Sequence, residues 1–422
     1  MGYLRRQLVT GALVANAVRP APVYAVAVPS MFAGWLVSEM APHFMAVTAA
    51  DTLRELLRKD GHRRAALLGA ANLAGLAYVF RGGVLSQQTF ESGLVEGLGE
   101  RYREDLESRH SDLDWKTPLR QLAWPFRDVP RDIEVIKNVG YAPEHGKRGL
   151  LDVYKPKGDV NDAPVLLQVH GGGWTIGNKD QQGLPLMRHM AERGWVCFAI
   201  NYRLSPRDAW PAHIVDVKRS IAWIREHGKE YGADPSFIAI TGGSAGGHLT
   251  ALAALTANDP EYQPGFEGAD TSLQAAVPFY GVYDLAGATG SKSARRMRDH
   301  FLAPRVFFES PRRNIEPFEK ASPVLRVRED APPFYIIHGV NDTLVSIGQA
   351  RTFVEKLREV SKHAVAYSEL SGAQHAFDVF PSVRSQHSVR GVDRFLRWAY
   401  DSWRGLPSAS DAEVESQDPR ED

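Results

Sequence analysis

The chain has 422 residues, of which 44% are apolar and 24% charged, proportions that exclude wholesale disorder and suit a large catalytic domain plus an extension. Fifty basic against fifty acidic residues leave no formal net charge, which excludes the basic surplus that a nucleic-acid binder needs. The single cysteine, Cys197, excludes an intrachain disulfide framework, a cysteine-based zinc cluster and an iron–sulfur site; its apolar run, Trp195-Val-Cys-Phe-Ala-Ile, reads as a buried strand.

Residues 1–130 form an apolar, helical N-terminal extension. No charged side chain occurs from Pro20 to Ser38 or from Ala65 to Phe80, while Asp51 to Arg64 between them is basic on balance. A membrane span needs about 20 apolar residues. The first run is interrupted by Pro20, Pro22 and Pro29. The second is shorter than a full span, but Arg64 and Arg81 flank it and suit a short or tilted one. Residues 20–80 are therefore expected either to associate with a membrane, placing the protein at the cell envelope, or to form a cap on a cytoplasmic enzyme. A signal peptide fits less well, because the basic start lacks a small-residue cleavage site.

From about Asp132 short β-branched runs alternate with longer amphipathic stretches, the pattern of an α/β domain with a mostly parallel sheet and helices on both faces. The expected strands are Ile133–Val139, Leu150–Tyr154, Val165–Val169, Trp195–Asn201, Phe237–Thr241, Ala275–Tyr280, Phe334–His338 and Ala364–Leu370. Ile214, Val217, Ile221 and Ile224 recur at helical spacing and predict a core-facing stripe. The domain is expected to occupy residues 131–405. Residues 406–422, acidic and nearly devoid of apolar side chains, read as a disordered tail.

Two glycine motifs carry the chemistry. The strand ending in Val169 runs into His170-Gly-Gly-Gly-Trp174, where three glycines let backbone N–H groups converge on one point. Trp174 is placed to wall the substrate pocket. No Lys-Ser/Thr pair follows, so the loop is not a P-loop. Gly242-Gly-Ser-Ala-Gly-Gly-His248 lies between a strand and the apolar helix that begins near Leu249, the strand–turn–helix setting of a G-x-S-x-G nucleophile. Ser244 is then the nucleophile, and the amides of Gly172, Gly173 and Ala245 are the oxyanion donors.

A serine needs a base, and the base an orienting acid, in the chain order Ser, Asp, His. Asp342 follows the strand Phe334–His338, and His375 follows Ala364–Leu370. Among the neighbouring histidines, His248 reads as packing, His170 as a support behind the glycine loop, and His338 as core. No H-E-x-x-H or comparable metal spacing occurs, and no G-x-G-x-x-G follows a strand, so neither metal nor dinucleotide cofactor is expected. Between strands, Phe301, Leu302, Val306 and Phe307 are candidates to face an acyl chain, although helix packing explains them equally well.

With these motifs, together with Asn201-Tyr-Arg-Leu-Ser-Pro206, the stretch from about Asp132 to Arg404 resembles α/β-hydrolases of the hormone-sensitive-lipase family, the bacterial family IV esterases. The resemblance implies a serine esterase or lipase acting on small-molecule or lipid carboxylic esters, with Ser244, Asp342 and His375 as its triad. Two positions depart from the family pattern: Gly243 and Asn201 stand where aspartates are common. They leave open an arylformamide or other amide hydrolase with the same triad. A catalytically silent relative that only binds ligands is disfavoured, because all three triad residues are present.

Overall fold

The computed structural model describes residues 2–21, 24–58, 63–117, 123 and 132–406. The junction expected at 130–131 and the acidic tail from residue 407 onward lie outside the described residues.

Among the described residues, the helices α1 (Tyr3–Val18), α2 (Ala27–Glu39), α3 (Ala41–Leu57), α4 (Arg63–Leu98) and α5 (Tyr102–Arg109) precede the sheet. The second uncharged run thus lies within a 36-residue helix, long and apolar enough to cross a membrane by length and composition alone. At 1.5 Å per residue, α4 extends about 54 Å. Its first half packs with α1 and α3, and its second half lies across the edge of the sheet. At Gly93 a Cβ would come within 2.2 Å of the Tyr367 carbonyl, so only glycine lets α4 approach so closely.

The sheet-bearing part contains β1 (Ile133–Gly140), β2 (Leu150–Pro156), β3 (Ala163–Val169), α6 (Leu184–Glu192), β4 (Val196–Ile200), α7 (Ala212–His227), β5 (Ala233–Gly243), α8 (Ala245–Leu255), β6 (Ala275–Phe279), α9 (Lys292–Met297), α10 (Glu316–Lys320), β7 (Phe334–Gly339), α11 (Ile347–Val360), β8 (Val365–Leu370) and α12 (Val383–Trp403). A π-helical run, Arg298–Phe307, continues α9. All eight expected strands are present with ends shifted by a few residues. β5 runs on to Gly243 because its last residues pair with Pro278 and Phe279 of β6.

The eight strands lie in the order β1-β2-β4-β3-β5-β6-β7-β8. Pairings β1/β2 and β2/β4 are antiparallel, and the rest are parallel. This is the α/β-hydrolase fold, with a mixed sheet between helical layers. β3 and β5 lie side by side, fully buried along β3, and their register opposes Val169 to Gly242. The chain leaves β3 toward β4 on one side, whereas β5 is followed by β6 on the other. Both glycine motifs therefore emerge together at the switch point of the sheet, where such folds form their binding crevices. Ile214, Val217, Ile221 and Ile224 are fully buried against one face of the sheet. Cys197 is fully buried on the opposite face, where burial pushes its thiol pKa far above the ordinary range.

Candidate active site

Ser244 occupies the turn between β5 and α8 at φ 60° and ψ −120°, a strained conformation for a residue with a side chain. Its amide donates to the Phe279 carbonyl (3.0 Å), and its carbonyl accepts from the His248 amide (2.9 Å), so both flanks of the turn are pinned. The side chain stands at the N-terminus of α8, where the positive end of the helix dipole favours a developing negative charge.

The glycine loop reaches this turn directly. A Cβ on Gly171 would lie 3.2 Å from that of Ser244. Gly172 and Gly173 adopt φ 115° and 59°, the left-handed conformations for which glycine is suited. Among the described residues none accepts a hydrogen bond from the amides of Gly172, Gly173 or Ala245. Phe301, from the π-helical run, lies over the loop, its ring 3.1 Å from where a Gly173 Cβ would stand. Leu302, Val306 and Phe307 are instead buried, and Phe307 stacks on Phe318 at 4.1 Å; ordinary packing accounts for them.

Trp174, expected to wall the pocket, is only 2% exposed. Its indole N–H donates to Nδ1 of His248 (3.2 Å), whose Nε2 in turn meets the Ala321 carbonyl (2.8 Å). Those partners select the neutral tautomer with the proton on Nε2, and burial pushes the imidazole pKa down to about 4. His248 is thus occupied as a structural pillar. His170 stacks on Tyr202 at 4.3 Å behind the loop, and burial lowers its pKa to about 4. Gln182 accepts from the Gly171 amide (2.7 Å), and His213 from α7 bonds to the Trp174 carbonyl (3.2 Å); neither lies in a local motif.

Asp342 and His375 come from the loops after β7 and β8 and meet at the same edge of the sheet: His375 Nδ1 lies 2.6 Å from Asp342 Oδ2. The other carboxylate oxygen accepts the amides of Leu344 (2.9 Å) and Val345 (2.8 Å). Burial by itself would raise the acid's pKa. The adjoining His375 and the hydrogen bonds from His338 and His375 outweigh it and hold the carboxyl well below the usual carboxylate range. His338, read from sequence as core, is fully buried, yet its Nε2 lies 3.3 Å from Asp342 Oδ2 and 3.0 Å from the Val345 carbonyl.

A second surprise is Gln374. Its Oε1 accepts the amides of both His375 (3.0 Å) and Thr343 (2.8 Å), tying the acid loop to the histidine loop. The N-terminal helices close on the same two loops. Asn341 Nδ2 donates to the Ala17 carbonyl at the end of α1 (2.8 Å), and Thr343 Oγ1 donates to the Ala27 carbonyl of α2 (2.9 Å). Trp35 stacks on Phe380 at 4.5 Å, and Glu39 and Arg384 form an ion pair in which each side chain is 1% exposed.

The departure at Gly243 has a steric counterpart. A Cβ there would lie 2.6 Å from the hydroxyl of Tyr280, a buried residue at φ 36° whose ring is 4.6 Å from that of His375. The Tyr280 hydroxyl donates to Asp378, and burial raises the pKa of that acid. An aspartate at position 243 would therefore displace Tyr280. Asn201, the other departure, bridges loops: its Oδ1 accepts the Lys179 amide (2.8 Å), and its Nδ2 donates to the Lys147 carbonyl (2.9 Å). No group of three or more His, Cys, Asp or Glu side chains suited to a metal occurs among the described residues.

Comparison with known proteins bears on the fold and the class of reaction. A family model described as BD-FAE matches residues 151–357. A probable carboxylic ester hydrolase of Mycobacterium tuberculosis, LipM, is 43% identical over 412 residues, 95% of this chain and 94% of that one. The esterase LipQ of the same organism is 47% identical over 297 residues, 69% of this chain and 67% of that one. Among solved structures, a butyrate-bound esterase from Thermogutta terrifontis, Est2, superposes with a TM-score of 0.52 at 27% identity, covering 63% of this chain and 93% of its own. Fold and likenesses together define a carboxylic ester hydrolase. The chain belongs to the hormone-sensitive-lipase family of α/β-hydrolases.

Proposed function

We propose that the protein cleaves carboxylic esters by two-step acyl transfer through Ser244, His375 and Asp342. His375 takes the Ser244 proton as the oxygen attacks the ester carbonyl, and Asp342 holds the imidazole in the tautomer that leaves Nε2 free to do so. The carbonyl oxygen becomes an oxyanion met by the amides of Gly172, Gly173 and Ala245. His375 then protonates the departing alcohol. Water, deprotonated by the same histidine, attacks the acyl-enzyme and releases the acid. The observation that carries the reading is the 2.6 Å Asp342–His375 bond, with Tyr280 packed between His375 and the strained turn of Ser244.

Residues 131–405 serve as the catalytic unit in this reading. Trp174 acts from behind the glycine loop through His248 rather than by touching substrate. The butyrate in Est2 and the closeness of Phe301 to Gly173 favour a short acyl chain. The test is a panel of p-nitrophenyl esters of increasing acyl length beside N-formyl arylamines, run on the wild type and Ser244→Ala. Ester turnover should fall by about 10⁴-fold or more in the variant, and a fluorophosphonate should label only the wild type. Undiminished turnover in Ser244→Ala would remove the nucleophile from the scheme; faster turnover of the formamides would reassign the substrate class.

A further inference from the structure

Most of the large apolar side chains that face solvent lie before residue 85. The two most exposed of them, Leu57 and Leu67, lie at one end of the N-terminal helices. That end is defined by a layer in which α1, α3 and α4 meet: Tyr3 bonds Thr52 (3.1 Å), and a Cβ on Gly69 would touch both. Asp51 lies at the same level, bonded to Gln7 (2.9 Å) and paired with Arg6 (2.6 Å). Around and beyond this layer, Leu4, Leu8, Leu57 and Leu67 are exposed to 53%, 57%, 77% and 72%. A water-facing apolar cluster of this kind marks a surface that is covered by a partner or a membrane.

Among the described residues the charges interleaved with these leucines are mostly positive. Among the described residues the two carboxylates of the region are already committed, Asp51 to Arg6 and Glu55 to Arg58. Exposed Arg5, Arg54, Arg63 and Arg64 remain as a surplus. Apolar side chains ringed by arginine match the boundary of an anionic bilayer, where leucines enter the acyl layer and guanidinium groups stay among the phosphates. A second copy of the chain suits the surface poorly, since a symmetric contact would set arginines against arginines. A transmembrane placement of α4 suits it poorly as well, because the second half of that helix is covered by β8 and α12.

We propose that this tip, formed by the start of α1, the end of α3 and the start of α4, docks the protein on an anionic lipid surface without crossing it. From Tyr3 to Ala17, α1 rises about 21 Å. The other end of α1 is held by Asn341, beside Asp342, so docking sets the acid loop some 20 Å from the tip layer on a rigid helical stalk. The proposal does not depend on the triad assignment.

The experiment is flotation of the full chain with vesicles of phosphatidylcholine alone or with added phosphatidylglycerol. The wild type should float with the anionic vesicles, bind the neutral ones at least tenfold more weakly, and lose binding as salt rises. Leu57→Glu/Leu67→Glu should remain unbound while hydrolysing a soluble p-nitrophenyl ester at the wild-type rate, which reports that the fold is intact. Should that variant lose esterase activity, Arg63→Glu/Arg64→Glu decides: each arginine near the surface is worth roughly fivefold in affinity, and reversing two should weaken binding by more than tenfold. A wild type that binds neither vesicle, or an active leucine variant that binds as the wild type does, overturns the proposal. So does a wild-type dimer that the leucine variant dissociates, which assigns the tip to a second copy. Membrane-bound protein that resists alkaline carbonate extraction would overturn it in favour of a span.

Discussion

Replacing Gln374 with alanine probes whether the loops of the proposed acid, Asp342, and the proposed base, His375, are held by one carboxamide. Gln374 is 2% exposed, and its Oε1 accepts from the amides of Thr343 at 2.8 Å and His375 at 3.0 Å. Removing that oxygen leaves the buried His375 N–H and the half-buried Thr343 N–H unpaired, at a cost of about 1–3 kcal/mol for the fully buried one. The loops avoid this cost only by moving apart to admit water. They carry Asp342 and His375, and a displacement of about 1 Å between catalytic groups lowers rate by roughly 10²-fold. Gln374→Ala should therefore lose about 10- to 100-fold in kcat against a p-nitrophenyl ester, with KM changed by less than about threefold because no substrate contact is removed. Gln374→Glu retains an acceptor for both amides and should recover most of kcat at pH 8. A Gln374→Ala enzyme that melts lower but keeps kcat within twofold would refute the clamp and leave Gln374 a packing residue.

Gly172→Ala should abolish most ester turnover, because its Cβ would lie 2.1 Å from the Ile176 carbonyl at a φ of 115°; kinetics beside a far-ultraviolet spectrum would separate loop distortion from unfolding. The buried histidines make stability fall in acid. His170, His213 and His248 are lowered by burial to about 4, 3 and 4, against about 6.5 unfolded, so below pH 6.5 the unfolded chain binds more protons and stability declines until the folded groups titrate. Each contributes on the order of 3 kcal/mol over that window. Urea midpoints between pH 7 and 4.5 should fall steeply for the wild type and less steeply for His248→Gln; identical slopes would contradict the assignment.

Much of the fold was legible because it rests on local rules. Eight β-branched runs, each short enough for one strand, became eight strands, and the stripe from Ile214 to Ile224 became a buried helix face. Both glycine motifs were legible for the same reason: a left-handed backbone or a turn tight against a neighbour excludes other residues, and that demand is written at the position itself. Chain order and preceding strands singled out Asp342 and His375, which the fold joins at 2.6 Å.

What stayed hidden depends on partners distant in the chain. Trp174 follows the glycine loop motif, but the partner that its indole meets in the core, His248, lies 74 residues away. His338 and Gln374 carry no motif, because any buried donor or acceptor of suitable reach can brace an acid loop. Gly243 read as a departure until Tyr280 supplied its steric reason. The N-terminal region shows the division most clearly. Its uncharged, proline-interrupted and basic segments could not be sorted by hydropathy, since a membrane and a protein core offer an apolar side chain the same relief from water. By themselves the 422 residues determined a neutral, disulfide-free chain with an α/β domain and two glycine motifs. Only the tertiary structure decided which apolar faces found protein partners, and it placed the ends of α1 and α2 against Asn341, Thr343 and the loop of His375.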